Sequence, residues 1–184
     1  MKPVTMSKLN KMSKLNKYLY NLDHNIISNW GHMQRIIIAD DERFLRDLAR
    51  TILEKKEYTD KRGFTYIETD TGEGAWEAYV KALDRSIDPV MILDNRMGNG
   101  ITGREVAERI RKGYDNMPPD SKTPIIFCSS SFRPEEIEEI REELDVDYVE
   151  KPYRLEDLVS AVERQIERGE KIKSRTMQDY QLIK

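Results

Sequence analysis

Short apolar runs alternate with longer stretches of helical periodicity along most of the 184-residue chain. The first run, residues 34–39 (QRIIIA), is compact and β-branched and ends in Asp40-Asp41. Phe44, Leu45, Leu48, Ile52 and Leu53 follow at helical spacing, and Asp41-Glu42 can open that helix at its positive end. Gly63 precedes a second strand, residues 64–69 (FTYIET), and Asp70-Thr71-Gly72 predicts a turn and helix cap. A helix through Ala75, Trp76, Tyr79, Val80 and Leu83 runs to the break at Asp88-Pro89. The third strand, residues 90–93 (VMIL), is apolar on both faces and stops abruptly at Asp94.

From Gly103 to about Arg111 a short helix turns Val106, Ala107 and Ile110 inward, and Pro118-Pro119 makes residues 112–123 a loop. Residues 124–128 (PIIFC) form the fourth strand, followed by Ser129-Ser130-Ser131. Pro134 suits the first turn of a helix that is strongly acidic and has only Ile137, Ile140 and Leu144 as a packing face. That helix is expected to be weakly held. A fifth strand at residues 146–149 leads into Glu150-Lys151-Pro152. Leu155, Leu158, Val159, Val162 and Ile166 then give a last amphipathic helix with Gly169 as its expected stop.

Strand and helix alternate five times, which predicts an α/β fold with a parallel sheet and helices on both faces. Right-handed crossovers leave few arrangements, of which the flavodoxin-like, doubly wound order 2-1-3-4-5 is the common one for five strands. Residues 34–168 are expected to form this single domain. Residues 1–33 carry five lysines and one aspartate and repeat MSKLNK at 6–11 and 12–17, whereas the rest of the chain is acidic against an overall net charge of −3. Gly31-His32-Met33 resembles a cloning scar, so this extension reads as tag- or vector-derived, the alternative being a native basic arm that docks on a partner. Residues 169–184 read as a tail or the start of a linker, too short to fold alone as an output domain.

Composition narrows the chemistry. The single cysteine, Cys128, lies in an apolar run and reads as core, and the only histidines, His24 and His32, precede the domain. A histidine metal site or catalytic triad is therefore not expected. No apolar run is long enough for a membrane span, and no basic stripe points to nucleic acid; a reduced, cytoplasmic protein is the expectation.

In a parallel sheet the carboxyl ends of all strands share one edge, so Asp40, Asp41, Asp94, Ser129 and Lys151 should converge. Taken singly, the aspartates could cap helices, Ser129 could serve a turn and Lys151 could be an ordinary surface lysine. Together they make a different site. Three crowded carboxylates call for a cation, and hard oxygen ligands suit Mg2+. A divalent ion, an ammonium and a hydroxyl around one carboxylate can stabilise an incoming phosphoryl group, with that carboxylate as nucleophile.

Asp40-Asp41, Asp94, Ser129 and Lys151-Pro152 together resemble the signature of the response regulator receiver domain of two-component signalling, over about residues 34–168. The resemblance implies that Asp94 is the phosphorylated residue. It makes Asp41 a direct Mg2+ ligand, has Asp40 assist through water, and adds the backbone carbonyl of Arg96. Lys151 would pair with the phosphoryl group across a cis Lys151-Pro152 bond, with Ser129 as the switch hydroxyl and Tyr148 as the switch aromatic. The donor would be a sensor histidine kinase or histidine phosphotransfer protein. The acidic helix, fifth strand and last helix would form the responding face, which could pair two copies. Such a domain is no enzyme beyond slow self-dephosphorylation. Gly98 stands where the family usually has proline, and Gly103 falls one position late, so the 97–102 loop should be one residue longer. Arg96 and Ser131 occupy positions that tune phosphoryl loss in the family. A haloacid-dehalogenase-type phosphatase would need a second Asp where Arg96 stands; a receiver-like protein-binding module that is never phosphorylated is the remaining alternative.

Overall fold

The computed structural model describes residues 34–55, 64–130 and 132–182; the 1–33 extension, Gly63 and Ser131 lie outside them. Strands β1 (Gln34–Ala39), β2 (Phe64–Thr69), β3 (Pro89–Leu93), β4 (Ile125–Ser129) and β5 (Asp147–Glu150) form one sheet in the order β2-β1-β3-β4-β5. Every pairing is parallel. The helices are α1 (Arg43–Glu54), α2 (Gly72–Asp84), α3 (Gly103–Lys112), α4 (Pro134–Leu144) and α5 (Leu155–Leu182). This is the flavodoxin-like arrangement expected from the alternation, with β3 starting one residue earlier and β4 and β5 each shifted one residue toward the C-terminus.

Successive side chains of a strand point to opposite faces, so the all-apolar central strands feed two cores. Ile36, Ile38, Val90, Ile92, Ile126 and Cys128 pack with α1 and α5. Ile37, Ala39, Met91, Leu93, Ile125 and Phe127 pack with α2, α3 and α4. Burial on both sides explains why β3 and β4 tolerate no polar position before their carboxyl ends.

Three helices depart from the sequence pattern. In α1, Phe44 is 73% exposed and Ala49 is buried instead. Leu45, Ala49, Ile52 and Leu53 share one stripe at the four- and three-residue spacings, and Phe44 lies a residue outside it. In α2 the alanines at 75, 78 and 82 and Tyr79 are buried, while Trp76, Val80 and Leu83 pack at the margin. Small side chains let this helix lie close to the sheet. In α5, Gly169 does not end the helix, which runs on to Leu182. A Cβ at Gly169 would stand 2.5 Å from the Lys122 carbonyl oxygen, so the glycine is there for close approach. Lys173 reaches Asp88 at 2.5 Å one turn later and holds the extension to the same edge of the domain.

The opposite edge of the sheet from the strand carboxyl ends is closed by Arg111. Its guanidinium donates to the carbonyls of Leu144 (2.6 Å), Asp120 (2.9 Å) and Thr123 (2.9 Å). Burial, with Arg168 nearby, pulls its pKa down to about 10. Gly169→Val is expected to lower stability by about 1–3 kcal/mol, because the added side chain must push α5 from residue 122. Urea unfolding monitored by circular dichroism checks this, and an unchanged midpoint would contradict the close approach.

Candidate functional site

Register builds the site before any side chain acts. Ala39 pairs with both Thr69 and Leu93, and Leu93 with Phe127, so β1 and β3 end level with each other. The Asp94 N–H donates to the Ala39 carbonyl at 2.8 Å, and the Asp40 N–H to that of Thr69 at 3.1 Å. The two aspartates therefore leave adjacent strands side by side. β5 brings Lys151 to the same edge, where its N–H donates to the Ser129 carbonyl at 3.3 Å.

Lys151 Nζ lies 2.6 Å from Asp40 Oδ2 and 3.2 Å from Asp94 Oδ1. Asp40 and Asp94 are buried, whereas Asp41 is exposed; one carboxylate oxygen from each lies within 4.8 Å of the others. Burial raises the Asp94 pKa and the nearby Asp40 charge adds to this, against the opposing pull of Lys151. Burial alone would lower the Lys151 pKa, but the bonds and charges of Asp40 and Asp94 outweigh it and raise it. The ammonium is firmly charged. Three carboxylates against one ammonium leave an excess negative charge that a further cation can relieve.

The acidic pair is not an ordinary cap. Glu42 takes the N-cap position of α1 without a side-chain bond, and Asp40 Oδ1 accepts the Glu42 N–H at 3.0 Å. Arg46, which the sequence did not single out, donates to the carbonyls of Asp40 (2.6 Å) and Asp41 (3.4 Å) and fixes their backbone. Its only signal is its place one and a half turns after the pair. Tyr153, also missed, ties the approach to α5 onto α1 through its hydroxyl on the Leu45 carbonyl at 2.5 Å.

Ser129 is buried at the end of β4. The half-buried Tyr148 donates its hydroxyl to the Ser129 carbonyl at 2.5 Å, and its ring stands edge-on to Phe132, 6.0 Å between centroids. Arg96 is exposed two residues after Asp94, and the Lys151-Pro152 bond is cis.

The 97–102 loop is held at both ends. Met97 is buried, and Gly98 takes a positive φ of 60° that a proline could not adopt. The Ile101 N–H donates to Glu73 at 3.0 Å, and Thr102 and Glu105 form a reciprocal cap on α3. Gly103 then returns against the end of β3, where a Cβ would stand 2.1 Å from the Asp94 carbonyl oxygen.

Residues 36–163 match the model of the response regulator receiver domain, and the chain belongs to that family. The Nisin biosynthesis regulatory protein NisR of Lactococcus lactis subsp. lactis is 31% identical over 139 residues, covering 76% of this chain and 53% of NisR. The chain thus spans about half the length of this curated relative. A two component transcriptional regulator AraC from Clostridium phytofermentans ISDg is similar in structure, with a TM-score of 0.57, 26% identity and coverage of 75% of this chain and 96% of the other. The signal receiver domain of the putative response regulator NarL from Mycobacterium tuberculosis has a TM-score of 0.56 at 20% identity, covering 74% of this chain and 98% of that one, a likeness of fold alone. Among the described residues no helix is long and apolar enough to cross a membrane.

The raised pKa of Asp94 has a consequence for stability. A carboxyl that binds its proton more tightly folded than unfolded contributes stability that is lost as pH rises from the ordinary carboxylate range through its folded value. With divalent ions chelated, Asp94→Asn is therefore expected to raise the urea midpoint at pH 7, and the gain should shrink as pH falls toward 4. Added Mg2+ should narrow the gap by stabilising the wild type alone. A variant less stable than wild type in chelator would contradict the strain assigned to Asp94.

Proposed function

We propose that the protein is a phospho-accepting response regulator receiver in which Asp94 takes the phosphoryl group. The observation that carries this is the single ammonium of Lys151 shared by Asp40 and Asp94, with Asp41 completing a group of three carboxylates. A sensor histidine kinase or a histidine phosphotransfer protein presents a phosphohistidine. An Asp94 oxygen attacks its phosphorus, the P–N bond breaks as the P–O bond forms, and the imidazole leaves with the electron pair. Lys151, already 3.2 Å from the attacking carboxylate, transfers its bond to a phosphoryl oxygen and offsets the added charge.

The donor set fits Mg2+. Ligands about 2.1 Å from one ion can be no more than about 4.2 Å apart, so oxygens already within 4.8 Å need only a small inward shift. Asp41 and Asp94 would bind it directly, Asp40 through water, and the Arg96 carbonyl would complete the protein ligands. When bound, the ion supplies positive charge to the phosphoryl oxygens.

Ser129 and Tyr148 carry the change outward. The phosphoryl group draws the Ser129 hydroxyl toward it, and Tyr148, bonded to the same residue's carbonyl, moves with that segment. The face of α4, β5 and α5 changes shape and becomes the surface for partners, a second copy of the chain among them. This chain makes no direct contact with nucleic acid, acts in the cytoplasm and catalyses at most the slow loss of its own phosphoryl group.

Incubation with Mg2+ and acetyl phosphate, followed by intact mass measurement, tests the acceptor. A single phosphoryl adduct is expected, absent in chelator and absent in Asp94→Asn. Lys151→Ala is expected to slow its appearance about 100-fold, the usual loss for one preorganised charged donor. Persistent labelling of Asp94→Asn would move the acceptor elsewhere, and no adduct under any condition would leave a receiver-like binding module.

A further inference from the structure

Helix α4 is attached to the domain by few apolar groups, since only Ile140 and Leu144 of its eleven residues are buried. Ionic contacts from α3 supply much of the rest. Arg104 Nη2 lies 2.8 Å from Glu143 and 3.6 Å from Glu139, both on α4, and its Nε lies 3.3 Å from Glu108 on α3. Lys112 adds a second cation to Glu143 at 2.8 Å. These ties all meet the second half of α4. Its first half is served, among the described residues, by the local pairs Arg133–Glu136 and Arg141–Glu138.

The other end of Arg104 is anchored at the acceptor. Its N–H donates to Asn95 Oδ1 at 3.3 Å, and the Gly103 N–H donates to the Asn95 carbonyl at 3.0 Å. With Gly103 pressed on the Asp94 carbonyl, the first turn of α3 cannot stay still if the backbone of Asp94 and Asn95 moves. One residue thus touches the strand exit with its backbone and α4 with its guanidinium.

We propose that Arg104 is a positioning residue that couples the Asp94–Asn95 backbone to the second half of α4, a second route beside that through Ser129 and Tyr148. It rests on the reading of Asp94 as acceptor. The clamp fixes one end of α4 and leaves the turn after Pro134 free to swing. Because Arg104 and its partners are partly exposed, each pair is weak and screened by salt, which suits a contact that must yield.

Hydrogen exchange of the full chain, with and without Mg2+ and beryllofluoride, tests this in Arg104→Gln and Arg104→Lys. Without beryllofluoride, residues 134–144 are expected to exchange about fivefold faster in Arg104→Gln, as two weak pairs are lost. Exchange in the sheet should not change. Arg104→Lys should restore most of the protection, and high salt should bring the wild type toward Arg104→Gln. With beryllofluoride bound, the Arg104→Gln helix should lose at least half of the change in exchange that the wild type displays. A domain-wide increase, or a helix that exchanges and responds as in wild type, would overturn the proposal. Failure of beryllofluoride to bind the wild type would count against the acceptor instead, and the comparison without it would still decide whether the clamp exists.

Discussion

The ammonium of Lys151 between Asp40 and Asp94 is the interaction on which the site's geometry depends. Two carboxylates at the ends of neighbouring parallel strands cannot both be ionised in a buried pocket without a nearby cation. The sheet order makes the juxtaposition unavoidable, since β1 and β3 are adjacent and end in register. Lys151 arrives from β5, two strands away from β3, so its long side chain has to cross the end of β4. Ser129 ends β4 on that path, and its carbonyl accepts the Lys151 N–H. A single proton-bearing group thereby joins three strand ends into one charged unit.

Much of this was legible because the relevant signals are local. Apolar runs of strand length marked five strands, and four of them, all but β2, ended in a residue that the parallel topology then gathered. Other features are tertiary and left no such trace. Phe44 falls on the same four-residue row as Leu48 and Ile52, one row over from the buried Leu45–Ala49–Leu53, and only the packing of α1 on the sheet decides that alanine goes inside. Gly169 has the form of a helix stop, yet the carbonyl of Lys122 waits where its side chain would be. In a helix interior a glycine costs roughly 1 kcal/mol, which close packing and the helix-forming residues after it offset. Nothing in the sequence distinguishes Arg111 and Arg46 from other arginines, yet both donate to backbone carbonyls, those of Leu144 and Asp40 among them.

The 97–102 loop is fixed at both ends. Met97 is buried and Gly103 lies against the Asp94 carbonyl. At the outer end Glu73 holds the Ile101 N–H and Thr102 starts α3. The Ile101 bond also keeps the Glu73 carboxyl below its ordinary pKa, so this anchor stays ionised at neutral pH.

The core and α4 are held by different forces. Elements around Asp94 are buried on both faces of the sheet, and close-packed interiors resist small displacements. α4 offers two buried side chains and a set of partly exposed ion pairs in their place. Each such pair contributes little, so the ionic part of the attachment of α4 is weak. Its far end is held differently, by Arg111 on the Leu144 carbonyl and Arg168 on Asp145. α4 thus has few ties at its start and several at its end, and the tie at Arg168 lies on α5.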